Sequence, residues 1–550
     1  MHAILTAVVL AALTAAAPTG PLRVRGAQIV DAKGKPVTLT GVAFGNDVWS
    51  NVRLPRKHHD DADFERVARM GMNAVRFYMN YRTFEADAAP GKYLDDGWQW
   101  LDDNVAWAKK HGVYLILNMH VPPGGFQSNG GGKALWEKPE NQDRLVKLWT
   151  AIAARCKGEA AVAGYDLLNE PVTTRSKGQW QELAGRIAAG IRTADPDHML
   201  FVERVNAIAG EWSEDADRNF FRIDDPNTVY EFHFYKPFHF THQKASWVSF
   251  TAEDVHYPDP ARAEVEWFLL DRRAGTDASP KLPPGDSPWT FYEGAPFLVD
   301  DPAIVLGKPI LVVNKNSGRV YFDDLVLEEL GPAGKDGKAG KVARVIWKQN
   351  LTGTRGWYFW NKPGKGGAVP ASDGHGDAAS IVAAGTVGEA NLGADVLRFR
   401  TRKGASYRLS GWMRGDKIPP EATCQIRLDF FSARAPVQNS DRAFLEQEID
   451  AYVAWGKREK VPLYLGEWGT IRFSFDDDRG GLRWVSDMLD IIRARGLSWS
   501  YHAYHEDSFG VYRGTGALPD ETRANAPLIQ MFTKKLAGRT PTVREPVKSK

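Results

Sequence analysis

The chain has 550 residues, 43% of them apolar and 25% charged, with a formal net charge of +2. Interspersed charge near balance leaves nucleic acid and anionic membrane without support as partners, and this length and apolar content suit two folded units with real cores. The only cysteines, Cys156 and Cys424, lie far apart, one on an expected helix and one on an expected strand, which excludes a disulfide framework.

In chain order, "MHAILTAVVLAALTAAAPTG" comes first. An apolar stretch from Ile4 to Leu13 precedes the small-residue site Ala15-Ala16-Ala17. Residues 1–17 are therefore expected to be a signal peptide, and the mature protein to be secreted or periplasmic without a membrane anchor. A short β hairpin follows, leading into a strand at Leu39–Phe44. Helices and strands then alternate: helix "DADFERVARMG" with Asp61 as cap and strand "NAVRFYM"; helix "GWQWLDDNVAWAKKHG" and strand "VYLILNMH"; helix "NQDRLVKLWTAIAARCKG" and strand "VAGYDLLNE"; helix "SKGQWQELAGRIAAGIRTADPD" and strand "HMLFVE". "TVYEFHFY" is the sixth strand. After an interruption come helix "DRAFLEQEIDAYVAWGKREK" with strand "VPLYLGEWG", and helix "GGLRWVSDMLDIIRARG" with strand "LSWSYHAY". Eight nearly continuous apolar strands separated by helices predict a parallel sheet covered on both faces, an α/β fold closed into a (β/α)8 barrel. In such a barrel catalytic groups belong at the C-terminal strand ends.

The interruption, residues 284–434, changes character to short alternating strands with Gly and Pro punctuation, such as "ADVLRFRTRK" and "CQIRLDFFSA", and predicts an inserted β-sandwich. The barrel would then occupy 18–283 and 435–550, and an insertion between strands six and seven is expected beside the mouth that carries the chemistry.

Two strand ends carry that chemistry. "GYDLLNEPVTT" delivers Glu170 after a buried run, with Asn169 before it and Pro171 fixing the turn. Alone, such an acid most often caps the next helix. "LYLGEWG" delivers Glu467 across the mouth, with Gly466 and Gly469 allowing close approach. Two carboxyl groups facing one sugar are what glycoside hydrolysis requires: one donates a proton to the leaving oxygen, the other attacks the anomeric carbon.

The ordered set resembles glycoside hydrolase family 5, the cellulase family of retaining (β/α)8 enzymes. Arg76 stands at the end of strand two, His120 at strand three, Asn169 and Glu170 at strand four, His233 and Tyr235 at strand six, and Glu467 at strand seven. The resemblance implies Glu170 as acid/base, Glu467 as nucleophile, Arg76 and Tyr235 holding Glu467 ionised, and His120 and His233 contacting sugar hydroxyls. It implies no cofactor and no metal. One departure stands out. The family ends strand eight with a tryptophan under the sugar, whereas "LSWSYHAYHED" has Trp499 earlier and His502 at that place, and both are taken as substrate contacts.

Glu203 also ends a strand, as a substrate contact or a structural acid. His233, His239 and His242 in "HFYKPFHFTHQ" match no standard zinc spacing. In the insert, "SGRVYFDDLVLEEL" and "NLTGTRGWYFW" are similar to the closing and opening segments of jelly-roll carbohydrate-binding modules, in reversed order. There Trp357, Trp360 and Trp412 are possible sugar platforms, and Asp323 and Asp324 either bind calcium or end a strand. The expected activity is a retaining endo-β-1,4-glucanase on a polysaccharide. The alternatives are a β-mannanase or another β-glycosidase of the family, or a non-catalytic carbohydrate-binding protein.

Overall fold

The computed structural model describes residues 20–537 apart from 249–254, 266–268, 333–339, 352–356, 361–366, 372–373, 377–379 and 395–397. The expected signal segment, 1–17, lies outside the described residues. The chain divides into two units. The first runs to Tyr235 and resumes over Glu446–Arg472 and from Leu482 onward; the second comprises Lys236–Leu445 and Phe473–Gly481.

The first unit is a closed barrel of eight parallel strands, β1 (Thr40–Phe44), β2 (Ala74–Asn80), β3 (Tyr114–Val121), β4 (Val162–Asp166), β5 (Met199–Glu203), β6 (Thr228–Phe234), β7 (Leu463–Trp468) and β8 (Ser498–Tyr501). Each strand pairs with the next in sequence and β8 closes on β1, the (β/α)8 order expected from the alternation. Residues of these strands are buried on both faces almost without exception, which is why they read as continuous apolar runs rather than alternating ones. The connecting helices include Asp61–Arg69, Asp95–Lys110, Pro139–Cys156, Lys177–Ala194, Arg442–Glu459 and Gly481–Arg495. At the bottom of the barrel, Leu22 and Ile29 of the N-terminal hairpin join Leu39, Ala74, Ile116, Met199, Phe201 and Tyr464 in one apolar cluster.

Two local readings need correction. The cap of the first helix is Asp60, not Asp61: its backbone is extended, its carboxylate accepts from Ala62 N–H, and Asp63 closes the reciprocal capping box. Strand β4 ends at Asp166, four residues before Glu170. Leu167–Glu170 leave the ladder, Asn169 N–H reaching back to Met119 O, and Glu170 itself adopts a left-handed backbone with φ 45°.

The second unit is built of antiparallel strands. Its spine, Leu306–Leu330, pairs with Ser380–Ala394, Ser406–Ile418, Thr423–Ala433 and Val342–Gln349. Val320, Phe322, Leu325, Tyr407, Leu428 and Phe430 form its core. Trp357 is part of that core, 7% exposed, so it is no sugar platform. Trp412 is half-buried, with His375 stacked on one face at 3.6 Å; the Trp360 side chain lies outside the described residues. The Asp323 carboxylate accepts from the backbone N–H groups of Asp324, Leu351 and His375 at 2.8, 3.1 and 2.9 Å, which ties three segments together. Cys156 and Cys424 are both buried and unpaired, and burial pushes each thiol up to about 12. No helix among the described residues is long and apolar enough to cross a membrane.

Candidate active site

Alternation along β2 turns both Arg76 and Tyr78 into the barrel, and everything at the mouth is organised on this pair. Arg76 is wholly buried. It donates from Nε to Asp166 Oδ2 (2.8 Å), from Nη1 to Glu467 Oε1 (2.6 Å) and from Nη2 to Asn169 Oδ1 (2.9 Å), and its Nη2 lies 3.0 Å from Glu231 Oε1. Tyr78 donates its hydroxyl to Glu467 Oε1 at 2.5 Å and stacks its ring on His120 at 4.0 Å. Tyr235 donates to the other oxygen, Glu467 Oε2, at 2.8 Å.

Glu467 reaches this position through a one-residue slip between β6 and β7: Phe232 pairs with Leu465, but His233 pairs with Glu467. The skipped residue is Gly466. A side chain there would put its Cβ 1.6 Å from Glu231 Oε1, so glycine is what lets the buried Glu231 carboxyl approach Arg76.

Glu170 faces Glu467 from the opposite side. One carboxylate oxygen of each, with a His233 nitrogen, lie within 4.8 Å of one another. His233 Nδ1 is 3.0 Å from Glu170 Oε1 and 3.6 Å from Glu467 Oε2, while its Nε2 is 3.3 Å from Glu231 Oε1 and 3.5 Å from Glu203 Oε2. Among the described residues two sets of acids and histidine have the spacing of a metal site, Glu170–His233–Glu467 and Glu203–Glu231–His233. Both rely on His233, whose two ring nitrogens already face these carboxyl groups, and neither contains His239 or His242.

The electrostatics follow from one guanidinium shared by several buried acids. Burial alone would push the Glu467 carboxyl up, but His233, His502 and Arg76 outweigh it and hold Glu467 well below the usual carboxylate range. Burial would discharge His233, yet Glu203, Glu467, Glu170 and Glu231 keep it protonated well above neutral. His120 goes the other way: burial, reinforced by Arg76, outweighs Glu467 and keeps the ring neutral. Burial and then the Glu467 charge raise both Tyr78 and Tyr235, so both phenols remain donors. Asp166 cannot share Arg76 fully with Glu231 and Glu467; burial pushes it up to about 8 in spite of the guanidinium.

A pH dependence of stability follows. Asp166, with an unfolded value of 3.8, is raised to about 8 in the fold, so its folded form holds a proton that the unfolded chain releases. Stability is then undiminished below 3.8 and declines as pH rises toward about 8. The raised His233 acts in the same direction at higher pH. Melting temperature is expected to fall across this range, and Asp166→Asn to flatten the slope. A variant with the wild-type slope would show that Asp166 is ionised throughout.

The structure brings Arg76, His120, Asn169, Glu170, His233, Tyr235, Glu467 and His502 to the same end of the barrel. The Asn169 amide is engaged at both ends, accepting from Arg76 and donating to Ser128 Oγ at 3.1 Å. His502 Nδ1 lies 3.1 Å from Tyr78 Oη. Trp499 is not among them. It is 1% exposed and packs outward on Phe532 and Trp468, because odd positions of β8 face the helices and even ones the barrel interior. Its expected sugar contact is therefore withdrawn.

Tyr78, Asp166 and Glu231 were not anticipated. Tyr78 and Glu231 each lie two residues from a recognised group, Arg76 and His233, and period-two alternation was the signal that pointed to them. An aromatic at the mouth was also missed: Trp49 is 45% exposed and stands edge-on to His120 and His502 at 6.2 and 6.4 Å.

Residues 30–270 match the family model Cellulase (glycosyl hydrolase family 5), a span that includes Arg76, His120, Asn169, Glu170, His233 and Tyr235 but not Glu467. Endoglucanase C of Acetivibrio thermocellus is 34% identical over 211 residues, 38% of this chain and 60% of that protein. A β-xylosidase of Phanerodontia chrysosporium is 29% identical over 289 residues, 45% of this chain and 58% of that protein. The chain thus spans about three fifths of the length of these curated relatives. The endoglucanase Cel5A from Thermotoga maritima is 17% identical with a TM-score of 0.46, covering 90% of this chain and 96% of that one. Over residues 30–270 the chain is thus similar to glycosyl hydrolase family 5.

Proposed function

We propose that this protein is an exported hydrolase of β-1,4-glucan, cleaving internal bonds with retention of configuration. The observation that carries the reading is the approach of Glu170 and Glu467 to within 4.8 Å, one oxygen to one oxygen. Retaining glycosidases hold their carboxyl groups about 5–5.5 Å apart, whereas inverting enzymes need roughly 6.5–9.5 Å to admit a water.

The two carboxyl groups take different roles. Glu467 Oε1 is occupied by Arg76 and Tyr78, while Oε2 accepts from Tyr235 and keeps a lone pair for the anomeric carbon. As Oε2 bonds to that carbon, Glu170 gives its proton to the departing glycosidic oxygen, leaving a glycosyl–Glu467 ester. Glu170, now a carboxylate, takes a proton from water. The resulting hydroxyl attacks the same carbon, Glu467 departs, and the configuration is restored. Trp49 supplies an aromatic surface for a sugar ring in the place left by the missing strand-eight tryptophan. The endoglucanase relatives support a β-glucan substrate, and the second unit, with its half-buried Trp412, is assigned carbohydrate binding. Residues 1–17 are assigned the export signal.

Proton NMR of the first products from a cellooligosaccharide tests the mechanism. The β-anomer is expected before mutarotation; the α-anomer would overturn it. A panel of β-glucan, mannan and xylan tests the substrate, with β-1,4-glucan expected to be cleaved fastest.

A further inference from the structure

We propose that Glu203 is a positioning residue for the acid/base Glu170, clamping it from below at both its backbone and its carboxyl group; this rests on the mechanism proposed above.

Glu203 ends β5 and is wholly buried, so it touches no substrate. Its Oε2 accepts from the backbone N–H of Glu170 at 2.6 Å and lies 3.5 Å from His233 Nε2. The other nitrogen of that ring, Nδ1, meets Glu170 Oε1 at 3.0 Å. A closed circuit results, from the Glu170 amide to Glu203, on to His233, and back to the Glu170 carboxyl group.

The circuit answers a local problem. At φ 45° Glu170 sits in a region that disfavours a residue with a Cβ, and it lies beyond the end of β4, without a ladder to hold it. The carboxyl group on β5 supplies the missing acceptor. Glu203 is itself fixed, since its carbonyl accepts from Trp180 Nε1 at 2.8 Å, and Asn206 N–H secures Pro171 O at 2.8 Å on the far side of Glu170. Its second oxygen, Oε1, is buried with no hydrogen-bond partner. A carboxyl group buried in that way contributes little to stability, so its work here is geometric. Burial, with Glu231 and Glu170 nearby, also favours the protonated form of Glu203, so a glutamine would imitate it closely.

The test compares leaving groups. 2,4-Dinitrophenolate departs without a proton, whereas the sugar leaving group of cellotetraose needs one from Glu170. For Glu203→Ala, kcat/KM on cellotetraose is expected to fall about 30-fold or more, while kcat/KM on 2,4-dinitrophenyl β-cellobioside stays within about threefold of wild type. Azide is expected to raise kcat on the aryl substrate and to yield β-cellobiosyl azide, because it replaces water without needing a base. Glu203→Gln keeps an oxygen for the Glu170 amide and is expected to recover most of the cellotetraose rate, which keeps the test open if the alanine variant fails to fold. Equal losses on both substrates, no loss on either, or a Glu203→Gln defect as selective and as deep as that of Glu203→Ala would each overturn the positioning role. A wild type that cleaves neither substrate would overturn the proposed mechanism and this inference with it.

Discussion

Glu467→Gln is expected to lower kcat by about three orders of magnitude or more, with KM little changed. A loss of that size is about 4 kcal/mol of barrier, the share a covalent nucleophile supplies. The amide cannot form the ester, and its NH2 group must also face Arg76, Tyr78 or Tyr235, all three of which donate toward this position. Removing the side chain makes room for an external nucleophile. With Glu467→Gly, azide is expected to restore turnover of an aryl β-glycoside and to give the α-glycosyl azide, since it attacks from the side the carboxylate occupied. The opposite anomer from that expected for Glu203→Ala distinguishes the two carboxyl roles in one assay. A Glu467→Gln enzyme retaining about a tenth of wild-type kcat would remove Glu467 as nucleophile.

Arg76→Ala is expected to have the largest effect on stability. The guanidinium and its partners Asp166 and Glu231 are wholly buried, and Glu467 nearly so. Breaking such a set from the cationic side leaves uncompensated charge in a low-dielectric interior, typically a loss of 3–5 kcal/mol, or about 10 °C in melting temperature for a domain of this class. The surviving activity is expected to show its acidic limb at higher pH, because Glu467 loses one of the charges that hold its carboxyl group low. Arg76→Lys restores the charge but not the fork that serves Asp166, Asn169 and Glu467 together, so it is expected to recover more stability than kcat. An alanine variant that melts within a degree of wild type would show that the acids beneath the mouth are neutralised by protons rather than by Arg76.

The residues at the barrel mouth were legible because barrel strands announce themselves. An apolar run that ends in Arg76, His120 or Glu467 is a strong local signal, and the succession of such runs fixes their order around the mouth. What supports those residues was less legible. Asp166, Glu203 and Glu231 read as stray acids at or near strand ends, and only closure of the barrel turns them toward one guanidinium and one imidazole. Trp499 shows the limit from the other side. The tryptophan was visible, but the face of β8 on which it lies was not, and that face decides between a sugar and Phe532.

The amino-acid sequence by itself determined the eight-fold alternation, the two opposed glutamates and the donors Arg76 and Tyr235, because strand burial and strand-end chemistry are properties of short segments. Tertiary structure alone decided three things: the slip at Gly466 that brings Glu467 opposite His233, the left-handed backbone of Glu170 held by Glu203, and the sharing of Arg76 among buried acids. Each depends on groups far apart in the chain, and Coulomb and hydrogen-bond energies act through space only once folding has brought those groups within a few ångströms.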